Sequence, residues 1–218
     1  MSQSATPPEP IATPSSGADR LPALHGLVLT GGASTRMGED KALLDRQGEP
    51  QLLATFRLLS RHVQSCFVSL RRDQQEESTR AGLPGISDEV DGIGPAAGLL
   101  AAHGAYPDAA WLVLACDLPR LQPSTLLGLI RARDERHAAI AYRSAVDGLP
   151  EPLCTLWEPA ALASLSLQAQ AGRYRLRDIL ESGDALLLPA PGDGALENIN
   201  TPQDLQRLRG STGEGTPS

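Results

Sequence analysis

The sequence predicts one α/β domain in which βαβ units surround a mostly parallel sheet. Between about Leu24 and Arg209, apolar runs of strand length alternate with segments whose apolar residues recur at helical spacing. Glycine and proline mark the junctions, as in Gly31-Gly32 after the first run and Gly94-Pro95 ahead of a helical segment. The 218 residues suffice for one ordinary domain with a buried core and fall short of two.

Each element follows from its local pattern. His25 to Thr30 is a short apolar run feeding Gly31-Gly32, a first buried strand and its loop. Leu52, Phe56, Leu59 and Val63 recur at helical spacing, and Cys66 to Leu70 reads as a second strand. Gly94 to Tyr106 is a helix opening on Gly-Pro. Trp111 to Cys116, WLVLAC, is the strongest strand signal, and Asp117-Leu118-Pro119 stops it. Pro123 to Arg136 reads as a helix whose proline sits near the first position, where a missing N–H costs little. Ala138 to Tyr142, Leu153 to Trp157 and Ala185 to Leu188 are candidate strands, and Pro159 to Gln170 and Arg175 to Ser182 candidate helices. Thr201-Pro202-Gln203-Asp204 carries an N-cap, a first-turn proline and an acid three residues past the cap, and so starts a last helix. Residues 1–22 and 210–218 are poor in large apolar side chains and are expected to be disordered tails around a domain at 23–209.

Composition removes several function classes. Aromatics at 3% leave little for stacking single-stranded bases, and a net charge of −7 weighs against a phosphate-backbone binder, so no nucleic-acid partner is expected. No stretch approaches the length of apolar residues that a membrane span needs, and the N-terminus lacks the pattern of a signal peptide, which makes the cytoplasm the expected location. Cys66, Cys116 and Cys154 are far apart, each in an apolar run, and read as small buried hydrophobes. His25, His62, His103 and His137 are scattered and predict no histidine-bound metal.

In an open parallel sheet the ligand crevice lies outside the carboxyl ends of the strands, which singles out residues 31–41, 88–98 and 117–120. The first loop packs Gly31, Gly32, Gly38, Arg36 and Lys41 into a dozen residues. Glycines let backbone N–H groups approach a ligand closely, and clustered N–H donors beside cations make an anion nest suited to a polyphosphate. The loop is neither a Walker A sequence nor Gly-x-Gly-x-x-Gly, and a glycine-rich surface turn with solvated cations is the alternative. Asp117 directly follows WLVLAC and stands at a strand tip, either as a carboxylate for Mg²⁺ or as an Asx cap of the next turn. Asp88 carries the same two readings.

Together these segments resemble the molybdenum cofactor guanylyltransferase family of nucleotidyltransferases. LTGGASTRMGEDKALL follows that family's Leu-x-Gly-Gly-x-x-x-Arg-Met-Gly-x-Asp-Lys pattern nearly throughout. GPAAGLLAA resembles its Gly-Pro-x-x-Gly helix start, ACDLPRL its Cys-Asp-x-Pro turn, and NINTPQDL its Asn-x-Asn-Thr-Pro ending. The resemblance implies a three-layer α/β/α domain with a Rossmann-like, mostly parallel sheet of the nucleotidyltransferase (glycosyltransferase A-like) type. It implies that the backbone of Leu29, Thr30 and Gly31 contacts the guanine and ribose side of GTP, and that Gly32, Arg36 and Lys41 hold the triphosphate. It places Asp88 on the nucleotide, Asp117 on a Mg²⁺ that bridges the phosphates, and Asn198 and Asn200 toward the pterin phosphate or the metal, where an N-cap role is the alternative. Arg36, Lys41 and Asp117 are then the catalytic set. Gly31-Gly32 and Gly-Pro-x-x-Gly favour guanine over the cytosine of related cytidylyltransferases.

Two positions depart from the family pattern. Ser69 stands where many relatives have Asn, and its hydroxyl can bond a ribose or base without the two-sided pattern of an amide. Leu149-Pro-Glu-Pro152 lacks the His or Arg that relatives often carry before the proline. The reaction implied is attack of the terminal phosphate of molybdenum-loaded molybdopterin on the α-phosphorus of GTP, with pyrophosphate leaving. A phosphate monoester is largely ionised at neutral pH, so a general base is not required. The chain is expected to act as a monomer, with molybdenum insertion proteins as transient partners. A cytidylyltransferase, a sugar-phosphate nucleotidyltransferase and a nucleotide-binding regulatory module that has lost catalysis are the alternatives.

Overall fold

The computed structural model describes residues 21–30, 45–46, 48–71, 74, 77–192 and 194–197. Its strands are β1 (Leu24–Leu29), β2 (Asp45–Arg46), β3 (Glu49–Pro50), β4 (Ser65–Leu70), β5 (Gly85–Ser87), β6 (Ala110–Ala115), β7 (Ala139–Arg143), β8 (Pro150–Trp157) and β9 (Ala185–Leu188). Its helices are α1 (Gln51–Ser60), α2 (Ser78–Ala81), α3 (Pro95–Ala105), α4 (Pro123–Arg131), α5 (Pro159–Gln170) and α6 (Leu176–Ser182). The expected tails and the helix expected from Thr201 lie outside the described residues.

Every residue of β6 and all but the first of β1 are buried, which is why both read as unbroken apolar runs: a strand covered on two faces has no polar side to show. Helices α3, α4 and α5 each begin at a proline, whose fixed φ suits the first turn. Helix α4 ends at Arg131, five residues short of the Arg136 expected from its periodicity. The physical reason lies just beyond: Asp134 Oδ1 accepts from the backbone N–H of Arg136 and of His137, which closes a turn where the helix would have continued. Strand β8 starts at Pro150, three residues before the apolar run that announced it, because Pro150 pairs with Arg143 across the hairpin from β7. A register shift between Ala141 and Arg143 accommodates this stretch, where Pro150 and Pro152 lack the N–H of a regular ladder.

The sheet runs β5-β4-β1-β6-β8-β7-β9. All its pairings are parallel except those of β8, which is antiparallel to β6 and β7. Six strands therefore end at one edge, and the start of β8 joins them there. The chain builds outward from β1 through β4 to β5 and then returns to the other flank of β1 as β6. This reversal of direction makes the β1/β6 boundary a topological switch point, where connections diverge to opposite faces and leave a crevice.

One core packs on each face. Val28, Val68, Leu112, Leu114 and Leu156 meet Leu52 and Leu59 of α1 and Leu126 and Leu129 of α4. Leu27, Leu29, Val113 and Trp157 meet Leu99 of α3, Leu162 and Leu165 of α5 and Ile179 of α6. The result is the expected three-layer α/β/α arrangement.

At the edge opposite the crevice, the rings of His25, Phe67, Tyr106 and Trp111 form a cluster with centroids 5.2–6.1 Å apart. His25 Nδ1 has no hydrogen-bond partner among the described residues, and burial holds its pKa below 6.5; burial does the same to His103, opposed by Asp108. The unfolded chain then takes up a proton before the folded one does. The stability that neutral His25 contributes is complete above about pH 6.5 and drains away as pH falls toward the lower folded value. The melting midpoint should decline between about pH 7.5 and about pH 5.5, and decline less in His25→Phe; equal slopes would place the loss elsewhere.

Candidate active site

Strand β1 delivers Thr30 to the crevice edge. Its hydroxyl, buried, donates to the Ser69 carbonyl at 2.6 Å and lies 3.4 Å from Gln74 Oε1, tying the end of β1 to the end of β4. On β4, Ser69 pairs in register with Leu29. Its hydroxyl donates to Asp88 Oδ1 at 2.7 Å, and the Asp88 backbone N–H donates to the Leu70 carbonyl at 2.8 Å. Thr30 and Ser69 are each 4% exposed and Asp88 8%, so this polar chain is nearly dry.

Helix α3 covers it closely. Gly94 precedes the helix with φ +62°, a conformation that disfavours side chains, and Gly98 lies against β1 and β4. A Cβ on Gly98 would come 2.5 Å from Ser69 Oγ and 2.8 Å from a Leu29 methyl. Of the helix start Gly-Pro-x-x-Gly, the first glycine thus serves backbone conformation and the second serves contact. Burial pushes the Asp88 carboxyl above the usual carboxylate range; the Ser69 hydroxyl and the Arg71 guanidinium pull it back, and Asp91 adds to the rise.

On the other side of the switch point, the Cys116 N–H donates to the Leu29 carbonyl at 3.1 Å, so the loop carrying Asp117 is pinned to the last residue of β1. Asp117 is half-buried. The antiparallel register of β6 and β8, which pairs Leu114 with Cys154, carries Glu151 to the same edge. Burial raises the Glu151 carboxyl; Arg177 opposes this, and the charges of Asp147 and Asp117 reinforce it. Arg120, three residues after Asp117, reaches Glu197 at 3.6 Å. The segment that leads into Asn198 is thereby drawn to the loop after β6.

Leu29, Thr30, Ser69, Asp88 and Asp117 thus share one edge of the sheet, and hydrogen bonds link Thr30, Ser69 and Asp88 directly. Gly31, Gly32, Arg36, Lys41, Asn198 and Asn200 lie outside the described residues. Cys66, Cys116 and Cys154 are buried, and burial pushes the Cys66 thiol up to about 12. Sequence reasoning missed Glu151 as a member of this edge; a lone acid between Pro150 and Pro152 at the start of β8 was the available signal. No helix among the described residues is long and apolar enough to cross a membrane.

The chain is similar to known proteins in both sequence and fold. A bifunctional molybdenum cofactor biosynthesis protein of Synechocystis sp. is 35% identical over 185 residues, which cover 85% of this chain and 53% of that protein, so the chain spans about half the length of this relative. A probable molybdenum cofactor guanylyltransferase of Natronomonas pharaonis is 32% identical over 197 residues, 84% of this chain and 96% of that one. The crystal structure of molybdopterin-guanine dinucleotide biosynthesis protein A from Archaeoglobus fulgidus superposes with a TM-score of 0.71 at 24% identity, covering 88% of this chain and all of that one, and shows the same fold. Residues 26–186 match the MobA-like NTP transferase domain, a span that starts in β1, ends in β9 and includes every strand framing the crevice. The chain belongs to the MobA-like NTP transferase family.

Proposed function

We propose that the chain transfers GMP from GTP to the terminal phosphate of molybdenum-loaded molybdopterin. An oxygen of that phosphate forms a new bond to the α-phosphorus of GTP as the bond to the β-phosphate oxygen breaks, giving the guanine dinucleotide cofactor and pyrophosphate. The observation that carries this reading is the convergence of Thr30, Asp88 and Asp117 at the switch point, in a chain whose full-length relatives are named molybdenum cofactor guanylyltransferase.

The loop that leaves Thr30 supplies Gly31, Gly32, Arg36 and Lys41 for the triphosphate, with backbone of Leu29 and Thr30 toward the base and ribose. Asp88, and Ser69 beside it, stand on the nucleotide side. Asp117 would hold Mg²⁺: a hard oxygen donor at a strand tip fits an ion that takes one or two carboxylates and completes its shell with water and substrate phosphates. When bound, Mg²⁺ neutralises charge on the phosphates. Arg36 and Lys41 add positive charge against the same oxygens, so that two anions can approach in line. The acceptor phosphate arrives already ionised and needs no base. Asn198 and Asn200 are assigned to the pterin phosphate or the metal. The working unit is a cytoplasmic monomer built from residues 23–209, with molybdenum insertion proteins as transient suppliers of the acceptor.

Titration with GTP, CTP and UTP in the presence of Mg²⁺ tests base selection, and pyrophosphate release with molybdenum-loaded molybdopterin tests catalysis. GTP should bind at least about tenfold more tightly than CTP, the discrimination that one or two hydrogen bonds to the base provide. Preference for CTP would move the chain to the cytidylyltransferases; binding with no pyrophosphate released would make it a regulatory module.

A further inference from the structure

We propose that Ser69 is a positioning residue for Asp88, fixing its carboxylate to receive hydrogen bonds from the nucleotide, and makes no nucleotide contact of its own. The inference rests on the reading of Asp88 as a nucleotide contact and assigns how that contact is prepared.

A serine hydroxyl has one proton to give, and here it is spent on Asp88 Oδ1 at 2.7 Å. The oxygen's other surroundings are closed by α3, whose backbone at Gly98 comes so near that a Cβ there would fall 2.5 Å from Ser69 Oγ. Ser69 is 4% exposed, and its hydroxyl is committed inside the protein. The Ser69 backbone is held in turn by the Thr30 hydroxyl. At the far end of the bond, Asp88 Oδ2 accepts no hydrogen bond among the described residues. A carboxylate has about four acceptor sites, of which Ser69 takes one, so a full oxygen faces the N–H or O–H donors of a guanine or ribose.

Charge state matters as much as direction. Burial favours the neutral acid, which would present a proton of its own toward those donors. The groups facing Asp88 decide the outcome: the Ser69 hydroxyl from β4 and Arg71 just after it favour the ionised form, and Asp91 from the loop after β5 opposes it. Helix α3 brings only Gly98 and its apolar neighbours to this point.

The test is a double-mutant cycle read as Mg·GTP affinity from about pH 5.5 to about pH 8. Ser69→Ala should weaken binding about tenfold, the size of one hydrogen bond to a charged group, with KM for GTP rising and kcat nearly unchanged. Its loss of binding at low pH should set in at higher pH than in the parent, because Asp88 then protonates more readily. Ser69→Thr, which keeps the hydroxyl, should restore both; Ser69→Cys replaces Ser69→Ala should that variant fail to fold. In an Asp88→Asn background, Ser69→Ala should cost nothing further. An equal loss in both backgrounds would mean that the hydroxyl touches the nucleotide itself, and no loss in Ser69→Ala beside a loss in Asp88→Asn would mean that Asp88 needs no support; either overturns the inference alone. Unchanged binding in Asp88→Asn would overturn the reading of Asp88 on which it stands.

Discussion

Asp117→Ala is expected to lower GTP-dependent pyrophosphate release by about three orders of magnitude and to leave the fold intact. The residue stands one position past the buried end of Cys116, on a loop pinned to Leu29, at the place where the sheet reverses its winding. Its side chain is half-buried at an edge, so truncation opens no core cavity, and thermal melting should change little. It also removes a negative charge that raises the neighbouring Glu151 carboxyl, which relieves rather than strains the site. On the proposed reading the loss comes from the Mg²⁺ that Asp117 would hold, and with it the positive charge against the phosphates. Asp117→Asn separates charge from shape: it should be nearly as slow as Asp117→Ala, and the dependence of rate on Mg²⁺ should flatten in both. A near-parental rate in either, or equal affinity for Mg·GTP in mutant and parent, would remove Asp117 from the catalytic set.

Position at the strand tip was legible because of what precedes it. An unbroken apolar run such as WLVLAC tolerates no exposed face, so it had to be a central strand, and whatever followed had to sit at the sheet edge. The same logic located Thr30 after β1 and the start of α3 at Gly94-Pro95. Pairing was less legible. Nothing in PEPLCTLW says that β8 runs antiparallel to β6, because register depends on partners distant in the chain; with it Glu151, an acid beside Asp117, stayed hidden. Strand β5 is three residues with one apolar side chain, too short for any period to declare, and forms because Val68 and Leu70 of β4 offer an open edge. The bond from Ser69 to Asp88 joins residues nineteen apart through the geometry of two adjacent strand ends. Periodicity reports which face a residue occupies and is silent on what it meets there. Helix α4 shows the converse: its periodic pattern ran on to Arg136, and a single competing side chain, Asp134, ended it.

Arg133→Met should be the most destabilising single change outside the apolar core, by about 3–5 kcal/mol, the usual cost of stranding one member of a buried ion pair. Arg133 Nε lies 2.5 Å from Glu158 Oε1 and its Nη2 3.0 Å from Oε2, a two-point pairing with both side chains under one-tenth exposed. Nη2 also donates to the Pro22 carbonyl at 2.8 Å, so one guanidinium joins the approach to β1, the turn after α4 and the residue between β8 and α5. Methionine fills similar volume, so packing is roughly kept while Glu158 is left without its cation in a dry site. Against a total stability of about 5–15 kcal/mol this is a large fraction, and the melting midpoint should fall by about 10 °C. All three partners lie at the sheet edge opposite the crevice, because Pro22 precedes β1, Glu158 ends the antiparallel β8 and Arg133 leads toward β7. Well below its lowered midpoint, Arg133→Met should therefore bind Mg·GTP as the parent does, in contrast to Asp117→Ala. Replacing both residues, as Arg133→Met with Glu158→Leu, should recover most of the loss, since removing both charges also removes their desolvation; a double variant as unstable as the single one would show that the Pro22 contact, and not the stranded carboxylate, carries the effect.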